Sequence, residues 1–131
     1  MPSNLEQIGV ALQMYAGDYD ALPPAGRWSD CLLEHVDSGS FVCPETPRLR
    51  SGYAFNRALA GMAAAEFFRL PRLDRTVLLY EGDRGWNGVG GPDDLVRQPR
   101  HRGKNVCAFA DGSGRAVERD KESDLIWQPG E

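Results

Sequence analysis

Apolar residues recur at helical spacing from the first residues onward. Leu5, Ile8, Leu12, Tyr15 and Tyr19 fall on one side of a helix, with Ala11 and Met14 beside the stripe. Ser3-Asn4-Leu5-Glu6 ahead of the stripe fits a capping box, with Ser3 as N-cap and Glu6 reaching back. The pattern predicts a helix over 4–17, ended by Gly17 and Pro23-Pro24. Arg27 to Val36 predicts a second, short helix with Trp28, Cys31, Leu32 and Val36 apolar, broken by Asp37-Ser38-Gly39-Ser40. Phe41 to Pro44 reads as a short extended piece, 44–50 as irregular loop, and Ser51 to Asn56 as a strand. Ala58 to Phe68 is alanine-rich and reads as either a short helix or a packed loop.

The second half of the chain alternates differently. Thr76-Val77-Leu78-Leu79-Tyr80-Glu81 is β-branched and apolar, which predicts a strand over 76–81. Residues 82–99 hold five glycines and two prolines and predict a long surface loop. Asn105 to Ala110 is an apolar run fit for a buried strand. Asp111-Gly112-Ser113-Gly114 supplies turn chemistry, and Arg115 to Arg119 returns, so 105–119 reads as a hairpin. Asp120 to Trp127 predicts a last helical turn that lays Ile126 and Trp127 on the domain. One helix, loops and then an antiparallel sheet of three or four strands make an α+β fold, with the helix on one face of the sheet.

Composition bounds what such a domain can do. A chain of 131 residues is long enough for a single domain with one core. The formal net charge of -4 argues against a general nucleic-acid binder, although Arg97, Arg100, Arg102 and Lys104 cluster. No run approaches the ~18 consecutive apolar residues of a membrane span, and no signal peptide is visible, so the chain as given reads as soluble, without membrane contact of its own.

Four segments, in order, resemble the prepilin-like proteins of bacteria that carry a C-terminal His-x9-Asp-Gly signature. The first is Ser3-Asn4-Leu5-Glu6-Gln7-Ile8-Gly9-Val10-Ala11-Leu12, followed by Tyr15 and by Asp18 to Pro24. The second is Phe41-Val42-Cys43-Pro44, then Tyr53-Ala54-Phe55-Asn56 and Ala58-Leu59-Ala60-Gly61. The third is Arg75 to Asp83, and the fourth is His101 with Asn105-Val106 and Phe109-Ala110-Asp111-Gly112. Glu6 stands where the family often has Lys, and Cys107 where it usually has a larger aliphatic residue.

The resemblance implies a pilin-like or pseudopilin architecture, in which the second half of a long N-terminal helix packs on an antiparallel sheet. It implies a non-enzymatic structural subunit of a type II secretion or type IV pilin-like filament. Such a subunit contacts other pilin-like subunits or secretion-system proteins in the cell envelope, the periplasm or outside the cell. The family's cleavage motif and hydrophobic half-helix do not stand in this sequence. The chain is therefore expected to be the soluble part of a longer protein or a standalone relative, and the second reading is a soluble binding module with the same fold. Leu5, Ile8, Leu12 and Tyr15 mark the assembly helix, and the opposite face, with Gln7 and Gln13, is expected to meet neighbouring subunits.

Candidate chemistry is sparse. His101 and Asp111 read either as a bridged pair or metal ligands, or as structural groups at the strand entrance and the turn; the structural role is favoured. Glu81, Asp83, Asp93 and Asp94 lie in or beside the long loop and offer oxygen ligands for calcium, which major pseudopilins also carry in a loop, but without D-x-D-x-D-G spacing. Cys31 and Cys43 could close a disulfide in an oxidising compartment, while Cys107 reads as a buried small hydrophobe. Cys31, His35 and Cys43 supply three zinc-ligand types without an obvious fourth. No GxSxG, HExxH or P-loop occurs, so no enzyme and no obligatory cofactor is expected. Trp86, in its glycine-rich loop, is expected to be exposed for partner contact.

Overall fold

The computed structural model describes residues 4–44, 46–94 and 104–128. The Ser3 cap, His101, the 95–99 part of the loop, and Arg97, Arg100 and Arg102 lie outside the described residues.

Helix α1 spans Asn4–Tyr19 and buries Leu5, Ile8, Gly9, Ala11, Leu12 and Ala16. Gly17 does not end it. That position meets nothing within 4 Å, so its missing side chain costs no packing, and the rings of Tyr15 and Tyr19 pair one turn apart at 4.5 Å. Asp20 ends the helix instead, in a left-handed conformation (φ 62°) usually taken by glycine. The following chain is tied to 61–64: Leu22 N donates to Met62 O at 2.8 Å, and Gly61 N to Pro23 O at 3.0 Å.

The predicted helix over 27–36 shrinks to α2, Trp28–Cys31, followed by turns. Its first turn is held from outside by Asn87 Oδ1, which accepts from Ser29 N (2.8 Å) and Asp30 N (3.3 Å). The alanine-rich stretch resolves into a 3₁₀ turn at Arg57–Leu59 and one turn of helix, α3, at Ala64–Phe67.

Five strands form one sheet: β1 Tyr53–Asn56, β2 Val77–Glu81, β3 Val89–Gly90, β4 Asn105–Phe109 and β5 Gly114–Val117, in the order β3-β1-β2-β4-β5. The sheet is mixed rather than antiparallel. β3 comes out of the expected long loop and pairs in parallel with β1, Phe55 opposite Val89 and Asn56 opposite Gly90. All other pairings are antiparallel.

β2 is the centre of the molecule. Its register against β4 shifts between Val77 and Leu79, so strict alternation breaks there. Leu78 and Leu79 both join the core beneath α1, while Val77 and Tyr80 join a second core on the opposite face. That second core is closed by residues 119–127: a 3₁₀ turn at Arg119–Asp124, a parallel bridge from Ile126 to Thr76, and Trp127 edge-on to Tyr80 at 5.3 Å. The sheet is therefore covered on both sides. The first cover is the helix the sequence predicts. The second is the predicted last turn, made 3₁₀.

α1 crosses β2 and β4 at close range. A Cβ on Gly9 would sit 3.5 Å from Ala108 Cβ and 3.8 Å from Leu79 Cδ2, which is ordinary contact rather than clash. Gly9→Ala is therefore expected to stabilise the domain by about 0.5–1 kcal/mol, through helix propensity and a filled contact. A rise in the urea midpoint checks it, and a fall would show that the helix sits closer to the sheet than described.

Candidate functional site

Helix α1 presents two different sides. Leu5, Ile8 and Leu12 are buried against the sheet and Tyr15 is half-buried, so the first three cannot themselves meet a neighbour. On the solvent side Val10 is 45% and Met14 51% exposed, one turn apart and adjacent on the helix surface. Met14, placed beside the buried stripe by the sequence pattern, thus belongs to the opposite side.

Gln13 is not a free surface residue either. Its Nε2 donates to Ala110 O at 2.9 Å, across 97 residues of chain, and its side chain lies directly over Gly112. The hairpin turn beneath it explains the Asp-Gly pair. Asp111 Oδ1 accepts from Ser113 N (3.0 Å) and from Ser113 Oγ (2.6 Å). Gly112 takes φ +91°, and a Cβ there would approach Gln13 Oε1 to 3.1 Å. Both the backbone angle and the overlying glutamine favour glycine. Asn105 opens β4 buried, with Nδ2 donating to Glu122 Oε1 at 2.6 Å. Asp111, Gly112 and Asn105 therefore have structural partners, and His101 lies outside the described residues.

The carboxylates suggested for calcium are dispersed. Glu81 is buried and its Oε2 accepts from Cys43 Sγ at 3.1 Å. Asp94 pairs with Arg84, whose guanidinium holds the carboxyl below the usual range, and it also accepts from Gly91 N at 3.3 Å. Asp83 and Asp93 are exposed. The zinc trio is not assembled either: His35 Nε2 faces Asp18 Oδ2 (3.6 Å) and Glu34 Oε1 (3.8 Å), whereas Cys43 faces Glu81. Among the described residues no three His, Cys, Asp or Glu side chains converge on a metal position. Cys31 and Cys43 are not joined, and none of the three cysteines forms a disulfide among the described residues. Burial pushes the Cys107 thiol up to about 12, which keeps it protonated and unreactive.

Trp86 is not the exposed platform the sequence predicts. Its Nε1 donates to Asp30 Oδ1 at 2.8 Å, its ring packs on Phe41 at 4.8 Å, and the Arg50 guanidinium lies 3.9 Å above it. Asn87, left-handed at φ 59°, adds Nδ2 to Asp30 Oδ2 at 2.9 Å. The Asn87 and Trp86 hydrogen bonds together lower the Asp30 carboxyl. This loop is a clasp on α2. The glycines and prolines of 82–99 mark a loop in the sequence, but nothing local to them shows which segment it grips.

Three features thus stand out: the exposed Val10–Met14 side of α1, the hairpin turn under Gln13, and the clasp of 84–88 on α2. No helix among the described residues is long and apolar enough to cross a membrane. Comparison of the chain with protein-family models, with curated proteins and with solved structures finds no match.

Proposed function

We propose that this chain is a non-enzymatic structural subunit of pilin-like type, acting through protein–protein contacts with other pilin-like subunits or secretion-system proteins in a filament of the cell envelope. The observation that carries this reading is the two-sidedness of α1. One side is buried against the sheet and the 38–41 turn, and the other leaves Val10 and Met14 half exposed in a row, where a helix of a neighbouring subunit would cover them. The sequence segments that resemble prepilin-like proteins add support, since they place this helix directly after the family's membrane-embedded half. Metal binding is not part of the proposal, because the carboxylates offered for it have other partners or stand apart.

Gln13 leaves the expected contact surface, because it is committed to the hairpin turn, and Val10 and Met14 join Gln7 there, three and seven residues along the same side of the helix. Val10→Asp combined with Met14→Lys in the native gene product is expected to reduce the pelletable, assembled fraction at least tenfold. The thermal midpoint of the domain should stay within a few degrees, as exposed positions contribute little to its core. Unchanged assembly by the double variant would overturn the reading.

A further inference from the structure

On the face of the sheet away from α1, a cleft of about 430 Å³ opens between β5 and the 119–124 turn. Arg75, Lys104, Arg115 and Lys121 line it, with Glu118 and Asp124. Four cations against two carboxylates leave an excess of two positive charges in one cleft of a chain whose net charge is -4. A local field opposite in sign to the whole molecule selects its ligand by charge.

The cations differ in how they are held. Lys104 is engaged by Glu118 at 3.6 Å. Arg115 is preorganised: its Nη2 donates to Asp74 O at 3.1 Å, and its guanidinium lies 3.8 Å over the Phe109 ring. That posture leaves further donors of the fork for another acceptor. The side chains of Arg75 and Lys121 make no hydrogen bond or ion pair with described residues. Arg75 is nonetheless fixed in place by its backbone, since Ile126 N donates to Arg75 O at 2.9 Å. Two segments remote in sequence, around 75 and over 115–121, thus bring Arg75, Arg115 and Lys121 to one opening.

We propose that this cleft binds a dianionic oxyanion group, the phosphate monoester of a small molecule, between Arg75, Arg115 and Lys121. A dianion matches the cleft's excess of two positive charges, and paired guanidinium forks suit its oxygens. The cleft is larger than the anion, which leaves room for the molecule that carries it. The proposal does not rest on the assembly reading, since α1 is on the other face.

The test is a titration of the ¹⁵N-labelled chain with inorganic phosphate and, separately, with sulfate, followed by amide chemical shifts against sodium chloride at matched ionic strength. The expected result is saturable shifts at millimolar anion, confined to residues around 75, 115–118 and 121, and absent with chloride. Arg75→Gln with Lys121→Gln is expected to weaken binding at least tenfold, with the anion-free thermal midpoint unchanged within a few degrees. Shifts at least as strong with phosphate as with sulfate would support a phosphate monoester as the ligand, and binding of sulfate alone would overturn it. Non-saturable shifts spread over all surface cations, shifts equal to those with chloride, or full binding by the double variant would overturn the proposal.

Discussion

Trp28→Ala is expected to cost about 3–5 kcal/mol, a large share of the roughly 5–15 kcal/mol that holds an ordinary domain folded. Trp28 is completely buried at the start of α2, between Phe55 at 5.5 Å and Phe41 at 5.8 Å, and its Nε1 donates to Gly88 O at 2.8 Å. Truncation removes the indole from the largest aromatic cluster and leaves the Gly88 carbonyl without its donor. The same indole fastens the 84–88 clasp to the core, so the loop should loosen with it. Trp28→Phe separates the two effects. It keeps much of the ring and loses the hydrogen bond, with an expected loss of about 1–2 kcal/mol. Urea denaturation of both variants checks the ordering. Equal losses would show that the hydrogen bond, not the packing, dominates.

The second large effect is expected at Asn56. This residue ends β1 buried, and its side chain serves three backbone groups. Nδ2 donates to Val77 O and Trp127 O, both at 2.8 Å, and Oδ1 accepts from Ala58 N at 3.1 Å. It therefore links β1, β2 and the segment covering the second core. Asn56→Ala leaves buried carbonyls without this donor, and the loss is expected to be about 2–4 kcal/mol. A specific signature should accompany it. Trp127 is held over Tyr80 by this bond, so its fluorescence should report loosening of 119–127 at denaturant concentrations where α1 is still helical. A single cooperative transition, unchanged in midpoint, would contradict the assignment.

The first helix and the last hairpin were legible in the sequence because each is governed by local rules. The Leu5-Ile8-Leu12 stripe, the apolar run at 105–110 and the Asp-Gly turn report directly on nearby backbone. The two residues by which α1 runs past Gly17 were not legible, since glycine on an unpacked side costs little and Asp20 replaces it as terminator. β3 is two residues long, too short for any periodicity, and it exists because Gly90 lets the chain pass tightly beside Tyr80 and Asp94. The bulge in β2 was hidden for a similar reason. Leu78-Leu79 reads as an unbroken apolar run, and only its partner strand shows that both residues face one side. Of the candidate site, the helix was visible, but Gln13 and Trp86 were misplaced. Their partners, Ala110, Asp30 and Phe41, stand far away in the chain, and no local pattern announces them.

The long reach of α1 to β4 also has a consequence for how the domain is made. The helix is synthesised before the sheet, and Gln13 finds Ala110 only 97 residues later. At roughly 5–20 residues per second, several seconds pass between the two. During that interval Leu5, Ile8 and Leu12 have no β4 to cover them, because Ala108 has not yet been added. Until β4 arrives, the apolar stripe of α1 stays bare on the nascent chain. Its rate of folding is set by the arrival of its youngest strands and not by the speed at which its helix coils.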